Sequence, residues 1–149
     1  MTNLRNDEQM QPGVTTRDGF LGSDKRSVAE IIRADDEAAK KIGITHQIIA
    51  GRMSFFRDQG QKGLGGFVKV KPHFEASCEM ARGFLPCPFG EPGKHRKAII
   101  TVRNLRLRRK IVFSDLNIHL IAKHGFYEGK GSPFRLEPNE LTKVLEIGA

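Results

Sequence analysis

The chain has 149 residues, a formal net charge of +8 and 38% hydrophobic residues, with 10 Phe and no Trp. That length suits one core, or two small lobes sharing a core. Two cysteines exclude a disulfide scaffold, and no apolar run approaches the ~20 residues that cross a bilayer.

Residues 1–16 are polar and aperiodic, as in a disordered arm. Residues 17–149 are expected to form a single α+β domain. It divides into a helical lobe at about 17–60 and a metal-binding sheet and helix lobe at about 67–149. The N-terminus holds no apolar signal core, so a soluble cytoplasmic protein without a membrane partner is expected. A turn over residues 17–22 tucks Phe20 and Leu21 under the core. Ser27 and Glu30 form a capping box, each satisfying a free backbone N–H at a helix start. Val28, Ile31, Ile32, Ala39 and Ile42 make that helix's apolar stripe, and Gly43 ends it. Thr45 caps a second helix through Arg57, with Ile48, Ile49, Met53 and Phe56 inward. Gly60, Gly63, Gly65 and Gly66 mark a lobe boundary.

Residues 68–80 alternate strictly. Val68, Val70, Pro72, Phe74, Ala76, Cys78 and Met80 are apolar, and every residue between them is polar. This is a strand with one buried face, and Pro72, lacking an N–H, calls for an edge, bulge or break. Two further strands are expected over 97–104 and 108–113. Residues 114–124 read as a short helix capped by Ser114 and ended by Gly125, and a last helix starts near Pro138. The predicted architecture is an N-terminal helical hairpin on a small antiparallel sheet, then a His-bearing helix and a short C-terminal helix.

The charge is uneven. Residues 1–60 balance nine Lys/Arg against nine Asp/Glu, whereas residues 61–149 carry sixteen against eight. Lys94–Lys110 holds eight basic residues and no acid. Arg103, Arg106, Arg108, Arg109 and Lys110 are the candidates for contact with nucleic acid or another anionic partner. A solvated ridge that keeps the protein soluble is the competing reading.

Cys87 in a turn-like segment, then a hairpin, then His119 and His124 on one helix is a layout suited to zinc, which takes about four N or S ligands. His95 is the candidate fourth ligand and Cys78 its rival, although the parity of Cys78 places it in the core. A spacing of five puts the two histidines about 140° apart, so the helix is expected to tighten or unwind at Gly125. The competing reading makes His119 a packing residue, His124 a partner of the helix dipole and Cys87 a loop thiol. His46 and His73 read as surface histidines.

Phe113, Leu116, His119 and His124 resemble the second half of a two-Cys two-His zinc finger, over about residues 98–124. The close Cys pair of that family is missing, so its fold and DNA-reading positions do not carry over. Residues 35–54 resemble a bacterial helix-turn-helix. That resemblance puts Ala39 at the helix crossing, Gly43 in the turn and Thr45, His46, Gln47 and Arg52 toward a major groove. An αα-hairpin with no DNA role fits the same residues. The chain, its second half above all, also resembles a compact unit of a bacterial family to which no activity attaches.

The glycines at 129–131 lack phosphate-loop spacing, and those at 63–66 lack a dinucleotide fingerprint. The sequence therefore points to a non-enzymatic protein with a structural zinc site, regulatory or associated with nucleic acid. One alternative is a metal-dependent hydrolase with Cys87, His119 and His124 as ligands, water at an open position, and Glu91 or Glu128 as base. Another is a metal-free interaction domain.

Overall fold

Local side chains set where the helices begin. The computed structural model describes residues 20–148, so the arm expected at 1–16 lies outside the described residues. Ser27 Oγ accepts from the Glu30 N–H at 3.2 Å and the Glu30 carboxylate accepts from the Ser27 N–H, opening α1 (Val28–Lys41). Thr45 Oγ1 accepts from the Ile48 N–H at 3.1 Å and opens α2 (His46–Gln61). The alternating segment then divides into β1 (Val68–Val70) and β2 (Phe74–Pro86), followed by β3 (Lys94–Asn104) and β4 (Arg109–Ser114). Ser114 and Asn117 form a second capping box at α3 (Asp115–His124), and Pro138 is the first residue of α4 (Pro138–Val144). The class is α+β, as expected.

The four strands form an antiparallel meander in the order β1-β2-β3-β4. The break anticipated at Pro72 is a turn over residues 71–73, after which β2 folds back so that Val70 faces Phe74. One parity of the sheet builds the main core. Phe74, Ala76, Cys78, Ala98, Ile100, Val102 and Phe113 pack beneath Ile49, Met53 and Phe56 of α2, Ile118 and Ile121 of α3, and Leu141 and Val144 of α4. Each large side chain buried this way contributes about 1.5–3 kcal/mol. A Cβ on Gly60 would come within 2.8 Å of the Ser77 backbone, so the last turn of α2 lies directly on β2.

Two expected core residues are outside. Met80 is 49% exposed, at the point where the register of β2 against β3 shifts, and it lines an open hollow with Arg57, Asp58 and Asp115. Ile48 is 49% exposed, because the buried stripe of α2 runs through Ile49, Ala50, Met53, Phe56 and Gly60. A smaller second core gathers Phe20, Leu21, Val28, Ile31, Leu116, Leu120, Phe126 and Cys87, with Leu85 and Phe89 half-buried against it. β4 pairs with β3 only from Ile99 onward, so the ribbon of β2 and β3 continues past the sheet. Its connecting loop, residues 87–93, ends against α3.

Candidate metal centre

The loop after β2 closes on itself through the Gly90 N–H, which donates to the Cys87 carbonyl at 3.0 Å. That turn buries the thiol to 3% exposure and aims the N–H groups of Phe89 and Glu91 at its sulfur. Burial pushes the Cys87 thiol pKa up, and the two N–H groups oppose this by favouring the thiolate. α3 supplies the other wall. His119 and His124 project from it with ring centroids 5.6 Å apart.

α3 is regular through His124, and Gly125 takes the left-handed conformation with φ of 60°. The helix does not unwind to bring the histidines together, contrary to expectation. Helical side chains lean toward the N-terminus, which lets the His124 ring reach back over the turn toward His119. Phe89 fixes that ring by stacking on it at 4.0 Å and 13°. A Cβ on Gly125 would meet the His46 ring at 3.0 Å, so glycine is needed there for close approach as well as for its φ.

Cys87, Glu91, His119 and His124 present one ligand atom each within 4.8 Å of one another. Cys87 Sγ lies 3.6 Å from His124 Nε2, which lies 3.0 Å from Glu91 Oε1. His119 Nε2 is 3.3 Å from Glu91 Oε2 without hydrogen-bond geometry. Among the described residues it is the buried side-chain polar atom left without a partner. A tetrahedral ion with ligands at 2.0–2.3 Å sets its donor atoms about 3.3–3.8 Å apart. The cluster could hold a metal ion. Burial lowers the pKa of both histidines and favours the neutral imidazole, the form that binds metal.

The chain matches no family model, no curated protein and no solved structure. Its site therefore has to be read from its own geometry.

Cys87, His119 and His124 come together. The fourth donor in the cluster is Glu91, which the sequence suggested only as a base. Its signal was its place four residues after Cys87 in the same short turn. His95 lies beside the group, its ring centroid 4.2 Å from that of His119, and repels protons from it. Cys78 is in the main core and outside the group, 3% exposed and opposite Ile100. Its thiol pKa is pushed up by burial, so it packs as a small apolar side chain.

Glu128, the other suggested base, is also outside the group. It is buried, accepting from Asn117 Nδ2 at 2.7 Å and Ser132 Oγ at 2.6 Å. Burial pushes its pKa up to about 7.

Three of the five ridge cations face acids. Arg106 meets Glu146 at 2.9 Å, Arg109 meets Glu140 at 2.9 Å, and Arg103 lies 3.7 Å from Glu75 while covering the Phe67 ring. Arg108 takes a positive φ in the turn before β4, and Lys110 is exposed opposite Arg103. The residues expected to face a major groove are engaged by the protein. His46 Nδ1 lies 2.8 Å from the Tyr127 hydroxyl and its Nε2 3.0 Å from Asp36, so it is a bridge and not a surface histidine. Gln47 donates to the Ala122 carbonyl and Arg52 to the Leu145 carbonyl. His73 pairs with Glu146.

Proposed function

We propose that this is a non-enzymatic protein in which a structural zinc ion ties the ribbon of β2 and β3 to α3. The observation that carries the reading is the convergence of one thiol, one carboxylate and two imidazoles around a buried nitrogen that lacks a partner. Thiolate and imidazole ligands favour zinc over calcium or magnesium, which take oxygen shells. Four protein donors complete a tetrahedron and leave no place for a reactive water. The ion would bind only after the Cys87 proton is lost, so its affinity would rise with pH.

A second reading rests on Glu91, whose side chain is 40% exposed while each histidine's is 16% exposed. If that carboxylate is displaced, the fourth position opens and a hydrolytic water becomes available. Cobalt(II) substitution tests the two readings together. A tetrahedral spectrum with a thiolate charge-transfer band, unchanged by azide, is the expected result. A spectrum that shifts with azide in the unaltered protein would favour the open site. Absence of a thiolate band would remove both.

A further inference from the structure

The acids that neutralise the basic ridge leave a different cationic surface free. Past Met80 the ribbon becomes an arm, in which Phe84 pairs with Arg96, Leu85 with His95 and Pro86 with Lys94. Leu85 and His95 are half-buried and form the inner side of the arm, toward the second core and α3. Arg82, Phe84, Lys94, Arg96 and Lys97 are exposed. Among the described residues, none of the four cations of this set has an acidic partner. Between Met80 and Ala98 the one acid is Glu91, which turns into the donor cluster. The arm thus carries four cations that make no ion pair among the described residues, although Glu79 precedes them on β2 and Asp58 and Asp115 line the same hollow as Arg96.

Phe84 makes the surface more than a solvated charge. It is 54% exposed and lies directly across the ladder from Arg96. Opposed side chains on one face have Cβ atoms about 4.5–5.5 Å apart. An open aromatic face beside a guanidinium suits a base stacked on the ring with its phosphate on the cation. Duplex DNA hides its base faces and would use the cations alone. We propose that the arm binds single-stranded nucleic acid, with Arg82, Lys94, Arg96 and Lys97 on the backbone and Phe84 under a base.

The proposal stands apart from the zinc reading, because the cations and Phe84 belong to the ribbon surface and not to the donor cluster. The test uses the full chain at known metal content and a labelled oligothymidylate of twenty nucleotides. Binding is expected at ~50 mM salt, with log affinity falling against log salt at a slope near −3, about −0.7 for each of four phosphates. Phe84→Ala should weaken binding about 5-fold or more. Arg82→Ala with Arg96→Ala should halve the slope. Arg106→Ala with Arg109→Ala, on the neutralised ridge, should change affinity less than about 2-fold, in keeping with the small worth of exposed ion pairs. All five positions are exposed, and unchanged melting of each variant verifies folding. Three results would overturn the proposal: no retention at ~50 mM salt, binding insensitive to Phe84→Ala, or preference for anionic lipid vesicles over the oligonucleotide.

Discussion

α3 carries two polar clusters that treat their buried groups in opposite ways. On one side Asn117 joins Glu128, Ser132, Arg135 and Asp35 in a network that satisfies itself. Arg135 donates to both Asp35 oxygens at 2.6 and 2.9 Å and to the Glu128 carbonyl at 2.8 Å. On the other side His119 and His124 crowd Cys87 and Glu91, and His119 Nε2 is left without a partner. The first arrangement is complete as protein, tying α1 to α3 and to the segment before α4. The second pairs His124 with Cys87 and Glu91 but leaves His119 Nε2 unsatisfied beside them. The same helix therefore carries one polar cluster that closes on itself and one that leaves a buried nitrogen unsatisfied.

The difference can be broken from either side, beginning with the largest effect. If a metal closes the second cluster, stripping it with chelator removes linkage energy. That is about 4 kcal/mol for an ion at a thousand times its dissociation constant. For a chain of this size the loss corresponds to a fall of roughly 8–16 °C in melting temperature. Scanning calorimetry before and after chelation measures it. The closed network should be insensitive to chelator and sensitive to its own charges. Asp35→Ala leaves the Arg135 guanidinium, whose side chain is 9% exposed, with only the outlying Glu137 as a charged partner. Urea unfolding should show a loss of about 3 kcal/mol.

Glu128 sharpens the contrast through pH. Its pKa is raised from 4.5 to about 7 in the folded chain. A carboxyl raised on folding is most favourable when protonated, below its unfolded value, and costs stability as pH rises through the folded value. Glu128→Gln mimics the protonated form. Its stability relative to the unaltered chain should therefore improve between pH 5 and pH 8, by about 2–3 kcal/mol. A difference that stays flat across that window would contradict the assignment.

Phe89→Ala tests the wall behind the site. It leaves all four donors in place but removes the stack on His124, so zinc affinity in a competition titration should fall about 10- to 100-fold. His95→Ala and Cys78→Ala should have the smallest effect on metal, with stoichiometry unchanged in both. Loss of the ion in either would return that residue to the ligand set.

Much of the fold is written locally. The Ser27 box, the Ser114 cap, the alternation of residues 68–80 and the glycine stop at 125 act over a few residues, so their periods and spacings suffice to place them. Three of the four donors were legible for a related reason, since a thiol in a tight turn and two imidazoles on one helix are uncommon. Glu91 joins the donor cluster only because the turn at Cys87–Gly90 folds it under α3. The partial neutralisation of the basic ridge was not legible because its acids, Glu140 and Glu146, come from α4 and just beyond it, thirty-one and forty residues away along the chain. The burial of Tyr127 and Glu128 in the glycine-rich segment after α3 was not legible either, because it depends on Gly129 lying against the Leu21 backbone. Neutralisation and burial of this kind depend on tertiary neighbours, which composition and period do not contain.

The most direct measurement is the zinc content of untagged protein, by mass spectrometry of the native chain and elemental analysis. One zinc per chain is expected, lost in Cys87→Ser and His119→Ala and kept in Cys78→Ala. Less than a tenth of an equivalent after incubation with zinc, together with melting that chelator leaves unchanged, would contradict the metal centre.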